Sequence, residues 1–356
     1  MRIELKQVLF PQPKSKIKAG DGKAEGKYKF FTSSPIQSKF VDEANYDKPS
    51  LIFGTGGNAS VHFCNEPFST STDCLVMYGR SKTELETIYN YLKSNIGILE
   101  NGFKGAGLKH ISKDYILAIE IDLPKEEIQL DFLQKNRIID GLIEAKQAQL
   151  HLSEELVKSR FIEMFGDVKT GDYKFETQKL GKVADVGSSH RVFTTEFVEK
   201  GIPFYRGTEI GELANGIKPE NPYRITKEHY ERLACDETKP KIGDLLMPSI
   251  CNKGQIWMVD TDEPFYYKDG RVLCISPNRN LFNCKYLEQF MREKTLVEYP
   301  KLGSGSTFAE FKIFLLKEID VLIPPIELQN QFATFVEQTD KSKYIEKISV
   351  RVLTIF

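Results

Sequence analysis

Two stretches 200 positions apart decide the fold: IEIDLPKEEIQLDF at Ile119–Phe132 and IDVLIPPIELQNQF at Ile319–Phe332. Laid over one another they match at Ile119/Ile319, Pro124/Pro324, Glu127/Glu327, Gln129/Gln329 and Phe132/Phe332, with Gly105/Gly305 agreeing upstream. An offset kept through proline, acid, amide and aromatic positions signals an internal repeat and a duplicated architecture. Further upstream the offset drifts, as loop insertions would make it, but the order of features holds. LIFGTGGNASVHFCNEPF (Leu51–Phe68) answers LLMPSICNKGQIWMVDTDEPF (Leu245–Phe265), both ending in Glu-Pro-Phe. Earlier still, YKFFTSS (Tyr28–Ser34) answers IPFYRGTEI (Ile202–Ile210).

Each half therefore reads as a mixed α/β (α+β) domain that closes with a long helix. Short apolar runs such as SLIFG, DCLVMY, DLLMPSI, QIWMVD and RVLCIS are parted by Gly, Asn and Pro turns, the pattern of strands. Ser81-Lys-Thr-Glu84 is a capping box, and Leu85, Ile88, Tyr89, Leu92 and Ile96 then recur on one helical face. Pro124 suits a first helical position, with Glu126 and Glu127 at the positive end of the helix dipole. From there helical patterning runs to Phe165, where Gly166-Asp167 stops it.

The apolar residues of that helix, Ile128, Phe132, Ile139, Leu142, Leu150, Val157, Phe161 and Met164, step like a coiled-coil seam. Forty helical residues span ~60 Å, more than one domain of this size needs for its own core. The expected partner is the equivalent helix from Pro325 onward, where Leu328, Phe332, Phe335, Val336 and Ile345 are apolar. Antiparallel pairing would hold the two domains at opposite ends of a rod. The expected division is residues 1–123 for the first domain, 124–166 for the central helix, 167–323 for the second domain and 324–356 for the last helix. By the repeat offset that last helix should continue to about residue 365, so it is expected to be shortened, as in a truncated variant.

Bulk properties set the frame. A chain of 356 residues suits two domains of roughly 100–200 residues each. With 40% hydrophobic and 28% charged residues the composition is that of a soluble protein, and no apolar run nears the ~20 residues of a membrane helix. The amino-terminal MRIELKQVLFPQPKSK lacks the apolar stretch of a secretory signal, which makes the cytoplasm the expected compartment. Six cysteines (Cys64, Cys74, Cys235, Cys251, Cys274, Cys284) form no C-x-x-C pair and read as reduced core residues, and five dispersed histidines give no metal spacing.

A net charge of −1 taken alone argues against a nucleic-acid partner, but its distribution is uneven. Residues 1–40 carry nine Lys or Arg against three acids, while residues 124–167 carry six against nine. Such segregation serves nucleic-acid binding; a solvated basic tail is the plainer alternative.

The runs YKFFTSS, YDKPSLIFGTGGNASVHF, FSTSTDCLV, IDLPKEEIQ, LVKSRFIEMFGD, KLGKVADV, GIPFYRGTEI, KIGDLLMPSI and LIPPIELQNQ together resemble the specificity (S) subunit of Type I restriction-modification systems, over essentially the whole chain. The resemblance implies two target recognition domains joined and spaced by two long antiparallel coiled-coil helices. Each domain would read one half of a split DNA site, and the helices would set the gap. It further implies two methylation (M) subunits assembled on the helices, with restriction (R) subunits joining that core. S-adenosylmethionine, ATP and magnesium would then belong to those partners, and this chain would catalyse nothing.

Readout of DNA needs donors and acceptors on loops that enter a groove, while basic and hydroxyl side chains elsewhere grip phosphates. In the first domain Lys29, Thr32, Ser33, Ser34, Asn58, Ser69, Thr70, Ser71 and Thr72 flank the strands. In the second, the candidates are Arg191, Arg206, Thr208, Ser249, Asn252, Lys253, Lys268, Arg271, Ser304, Ser306 and Thr307. Arg206 is singled out because a guanidinium after the strand IPFY can bond twice to a guanine edge; its alternative is an ion pair with Glu209 or Glu212.

Three other readings are weaker. FGTGGN (53–58) has glycines but no following Gly-Lys-Ser/Thr and no helix, so a tight turn or a backbone contact to DNA phosphate explains it better than nucleotide binding. A methyltransferase would need Asn-Pro-Pro-Tyr/Phe, and Asn221-Pro222-Tyr223 is one proline short. A coiled-coil scaffold binding only protein is the remaining rival.

Overall fold

The computed structural model describes residues 2–105, 107, 109–234, 238–303 and 309–353. Two compact units are separated by their internal packing, residues 1–144 and 145–356, and the division falls inside one continuous helix, Glu126–Phe165. Among the described residues no helix is long and apolar enough to cross a membrane.

Unit 1 is built on a four-stranded antiparallel sheet in the order Leu9–Pro11, Cys74–Gly79, Ser50–Gly54, Ser60–Cys64. Alternation of side chains along a strand explains why SLIFG is apolar throughout. Leu51 and Phe53 point into a core closed by Leu85, Ile88 and Leu92 of the helix Lys82–Ser94. Ile52, between them, faces the opposite cluster of Phe31, Tyr46, Phe68 and Val76. The helix begins where its capping residue placed it, with Ser81 Oγ accepting the Glu84 N–H at 3.1 Å. A three-stranded sheet, Lys39–Val41, Tyr28–Phe31 and Phe68–Thr70, has its last pair parallel. A ribbon of Arg2–Glu4 with Glu120–Asp122 completes the unit.

Unit 2 repeats this plan strand for strand. Its four-stranded sheet runs Ala184–Gly187, Val272–Pro277, Leu245–Pro248, Trp257–Met258, and its three-stranded sheet Tyr223–Ile225, Ile202–Tyr205, Tyr266–Tyr267 again ends on a parallel pair. The ribbon pairs Thr177–Lys179 with Asp320–Leu322. Leu245 and Met247 face one cluster while Leu246 faces the other, the same two-sided burial as in unit 1. Two short helices are additions of unit 2: Gly207–Leu213 stands where unit 1 has the loop 32–38, and Lys227–Leu233 where unit 1 has residues 42–49 without a helix.

The glutamine common to both repeats has a defined task. Gln129 Nε2 donates to the Pro124 carbonyl at 2.8 Å, and Gln329 Nε2 to the Pro324 carbonyl at 2.8 Å. Each buried amide thus ties the first helical turn to the residue that ends the preceding segment, satisfying a carbonyl that would otherwise be stranded. Helical hydrogen bonding starts at Glu126, two residues after Pro124, because the Lys125 carbonyl accepts the first bonds. At the far end Gly166 adopts φ +98°, and a Cβ there would lie 2.1 Å from the Asp172 carbonyl, so only glycine can end the helix in this way.

Within unit 2 the later part of the central helix runs antiparallel to the last helix, Ile326–Leu353. Phe161 meets Phe332 at 5.4 Å between ring centres, and Lys146 pairs with Glu346 at 2.8 Å. The seam read from sequence holds at Ile139, Leu150, Val157, Phe161 and Met164 and fails at Ile128, Phe132 and Leu142. Leu133, Val157, Phe161 and Phe165 are buried and Ile139, Ile143 and Leu150 are half-buried, whereas Ile128 (57% exposed), Phe132 (44%) and Leu142 (45%) face solvent. The helix carries apolar residues on two adjoining sides, as the successive pair Leu142 and Ile143 shows, and periodicity alone does not say which is inside. On the last helix Ile345 is likewise exposed, while Phe332 and Val336 are buried.

Cys64, Cys74, Cys251 and Cys274 are buried unpaired thiols; burial pushes Cys74 and Cys251 up to about 11 and Cys274 to about 12. Cys284 is partly buried, and Cys235 lies outside the described residues.

Candidate nucleic-acid interface

In unit 1 three candidate loops converge on one carbonyl, that of Asp73. It accepts the Ser33 hydroxyl at 2.6 Å, the Thr55 hydroxyl at 2.9 Å and the Thr55 N–H at 2.9 Å. The Thr55 carbonyl in turn accepts the Ile111 N–H, and His110 Nδ1 lies 3.1 Å from it. This close approach depends on Gly54, where a Cβ would stand 2.2 Å from Ser60 Oγ and 2.8 Å from Ser33 Cα. The glycines of FGTGGN therefore serve a tight hairpin between two strands, and no helix follows them. His62 lies 2.9 Å from the Ser34 carbonyl, and burial lowers its pKa, favouring the neutral ring.

The same backbone frame recurs in unit 2. Ser249 N–H donates to the Arg271 carbonyl (2.8 Å) as Thr55 does to Asp73, and Phe311 N–H to the Ser249 carbonyl (2.8 Å) as Ile111 does to Thr55. Lys268 N–H donates to the Tyr205 carbonyl (2.9 Å) as Ser71 does to Phe31 (2.8 Å). Two loop clusters thus share a frame and differ in side chains: Asp73 stands where Arg271 stands, and Ser71 where Lys268 stands. A shared scaffold with opposite charges at matching positions is what two readers of different sequences require.

The candidates divide by exposure. Lys29, Ser34, Asn58, Arg191, Arg206, Thr208, Asn252, Lys253 and Arg271 are exposed, and Thr32, Ser33, Thr72 and Lys268 are half-buried. Ser69, Thr70, Ser71 and Ser249 are buried and leave the set. Their polar groups serve the fold: Ser69 Oγ donates to the Glu43 carbonyl at 2.8 Å, and the Ser71 hydroxyl accepts the Asp73 N–H at 3.3 Å. Ser304, Ser306 and Thr307 lie outside the described residues. Thr55, Asp73, His110 and Glu310 belong to the clusters without having been singled out; pairing Thr55 with Ser249 through the repeat was the signal that could have found them.

Arg206 takes the ion pair. Its Nη2 and Nε donate to the Glu209 carboxylate at 2.7 and 3.2 Å, and its guanidinium lies 4.6 Å over the Tyr223 ring. Burial pushes the Glu209 carboxyl up, but the bonds from Arg206 outweigh this and leave it below its usual range. With the Nε edge occupied, the terminal nitrogens are the edge left to face a base. Three other charged candidates hold acidic partners, Lys29 with exposed Glu66 (3.6 Å), and Lys268 and Arg271 with half-buried Asp269 (2.9 Å) and Glu310. Surface pairs of this kind are worth ~0–1 kcal/mol and exchange readily for a phosphate.

Comparison with known proteins agrees with this arrangement. Residues 2–151 match the family model described as "Type I restriction modification DNA specificity domain". The fold is similar to that of the Type I restriction-modification S subunit from M. genitalium, at TM-score 0.60 and 16% identity, covering 100% of this chain and 93% of that one. A second solved structure, described as the structural basis of complex assembly and conformational transition of the type I R-M system, matches at TM-score 0.59 and 15% identity, covering 99% and 94%. Residues 2–151 thus match a Type I restriction modification DNA specificity domain, and the chain as a whole shares the fold of solved structures of such S subunits.

Proposed function

We propose that the chain reads a bipartite DNA site, one half with each unit, and presents that site to methylation and restriction subunits. The observation that carries this reading is the pair of loop clusters built on one backbone frame with opposed side-chain charges, Asp73 against Arg271. The central helix, running from one unit into the other, sets the number of unread base pairs between the halves. S-adenosylmethionine, ATP and magnesium are carried by the partner subunits.

The central helix also supports the assembly. Ile128, Ile138, Leu142, Leu152 and Leu156 of the central helix are all exposed. Exposed apolar side chains recurring along a helix suit a protein-binding surface, and helices of two methylation subunits are the partners proposed for it. A scaffold without DNA recognition would have this surface but no reason for two matched loop clusters.

The test is to co-express the chain with its methylation subunits and map methylated bases across a host genome. Two short specified halves around a fixed unspecified gap are expected. A contiguous motif, or methylation without sequence preference, would contradict the reading.

A further inference from the structure

The nine basic residues of the first forty are not a loose tail, and three of them have no role in the loop clusters. Lys14, Lys16 and Lys18 are exposed at alternate positions, with Ser15 buried and Ile17 half-buried between them, the pattern of an extended segment fastened along one side. The fastening is explicit. Gln12 N–H donates to the Val76 carbonyl and Gln12 Nε2 to Ser50 Oγ, both at 2.8 Å; Tyr46 Oη donates to the Pro13 carbonyl at 2.8 Å; Thr72 N–H donates to the Ile17 carbonyl at 2.9 Å. Thr72 adjoins Asp73, the centre of the unit 1 cluster, so the segment flanks the loops that would enter a groove. Among the described residues none of the three lysines has an ion-pair partner. No acid occurs between Glu4 and Asp21, and Asp21 Oδ2 accepts the backbone N–H of Lys18.

The duplication supplies an independent indication. Strand register aligns Pro11 with Val186, which places Lys16 opposite Arg191, and Arg191 is exposed as well. Its segment is fastened too, by Ser188 Oγ to the Val272 carbonyl (2.7 Å) and Ser189 Oγ to the Tyr267 carbonyl (2.6 Å). A basic residue thus follows the aligned strand position by five residues in both units, in segments whose sequences and fastenings otherwise differ.

We infer that the segment Lys14–Lys18 is the phosphate grip of unit 1, with Arg191 as its lesser counterpart in unit 2. Lysine ammonium groups on a fixed extended backbone, beside but outside the reading loops, neutralise a DNA strand and carry no base information. This rests on the DNA-reading function proposed above. It adds an asymmetry, in that unit 1 supplies more of the salt-sensitive affinity than unit 2.

The test compares the assembled complex carrying the wild-type chain with one carrying K14Q/K16Q/K18Q, on a short mixed-sequence duplex followed by fluorescence anisotropy. Each phosphate contact contributes about 0.9 to the slope of log affinity against log salt. Between roughly 50 and 200 mM salt the wild type should therefore lose about 40-fold more affinity than the triple variant. Arg191→Gln should remove about one contact's share of the slope, and the methylated motif should be the same in all three. Equal slopes for wild type and triple variant would overturn the grip, as would a changed motif, which would make the lysines base readers. A wild-type complex with no affinity for duplex DNA would instead overturn the underlying function.

Discussion

Replacing Phe332 by alanine is expected to destabilise unit 2 by about 3–5 kcal/mol, the cost of truncating a fully buried phenylalanine. The same change at Phe132, its counterpart in the repeat, is expected to cost within about 0.5 kcal/mol, as surface substitutions do. Phe332 is 0% exposed and meets Phe161, Phe165 and Tyr286 at ring-centre distances of 5.4, 5.5 and 6.4 Å. Alanine would leave a cavity among three aromatic rings that are fixed on two helices and cannot collapse into it. Phe132 is 44% exposed and has no such surroundings. Calorimetry of the two variants reads the difference: F332A should lower the transition of unit 2 by roughly 10 °C, and F132A should leave both transitions in place. Equal losses would mean that Phe132 is buried in the folded chain and that the two-sided helix is misassigned.

Inserting seven helix-forming residues after Gly141 should lengthen the unread gap of the methylated motif by about three base pairs and leave both halves unchanged. Seven residues are nearly two helical turns, so the buried positions rotate by only ~20° and the seam stays continuous. They add about 10.5 Å of helix, and a DNA duplex rises about 3.4 Å per base pair. Gly141 suits the insertion because it is exposed, a Cβ there meets nothing within 4 Å, and it precedes the stretch from Lys146 onward that packs on the last helix. Methylome mapping of the variant checks it. An unchanged gap would show that the helix does not set the spacing, and altered halves would show that it takes part in reading.

Much of the fold was legible because the repeat constrains it twice. The Glu-Pro-Phe match survives to the level of register: Phe30 lies opposite Ser69 and Phe204 opposite Tyr266, which makes Phe68 and Phe265 equivalent. Ser81 and Gly166 marked helix ends correctly because both act through local geometry. At its start the seam was read one residue out, Ile128 and Phe132 for Gln129 and Leu133, since hydropathy favours isoleucine over a glutamine whose burial depends on the Pro124 carbonyl; Ile139, Leu150, Val157 and Phe161 were read in place. Hydroxyl-rich loops were over-read for a related reason. Ser69, Ser71 and Ser249 look available in sequence, yet all three are buried and nearby backbone holds the first two, and only the folded pairing of Thr55 with Asp73 shows where the loops meet.

The central claim, that the two units are independent readers, is tested most directly by exchange. Residues 1–123 would be replaced by the corresponding segment of another specificity subunit whose motif is known, and methylated sites mapped in the same host. The account predicts that one half of the motif becomes that of the donor while the other half and the gap stay unchanged. Change in both halves, or in neither, would contradict it.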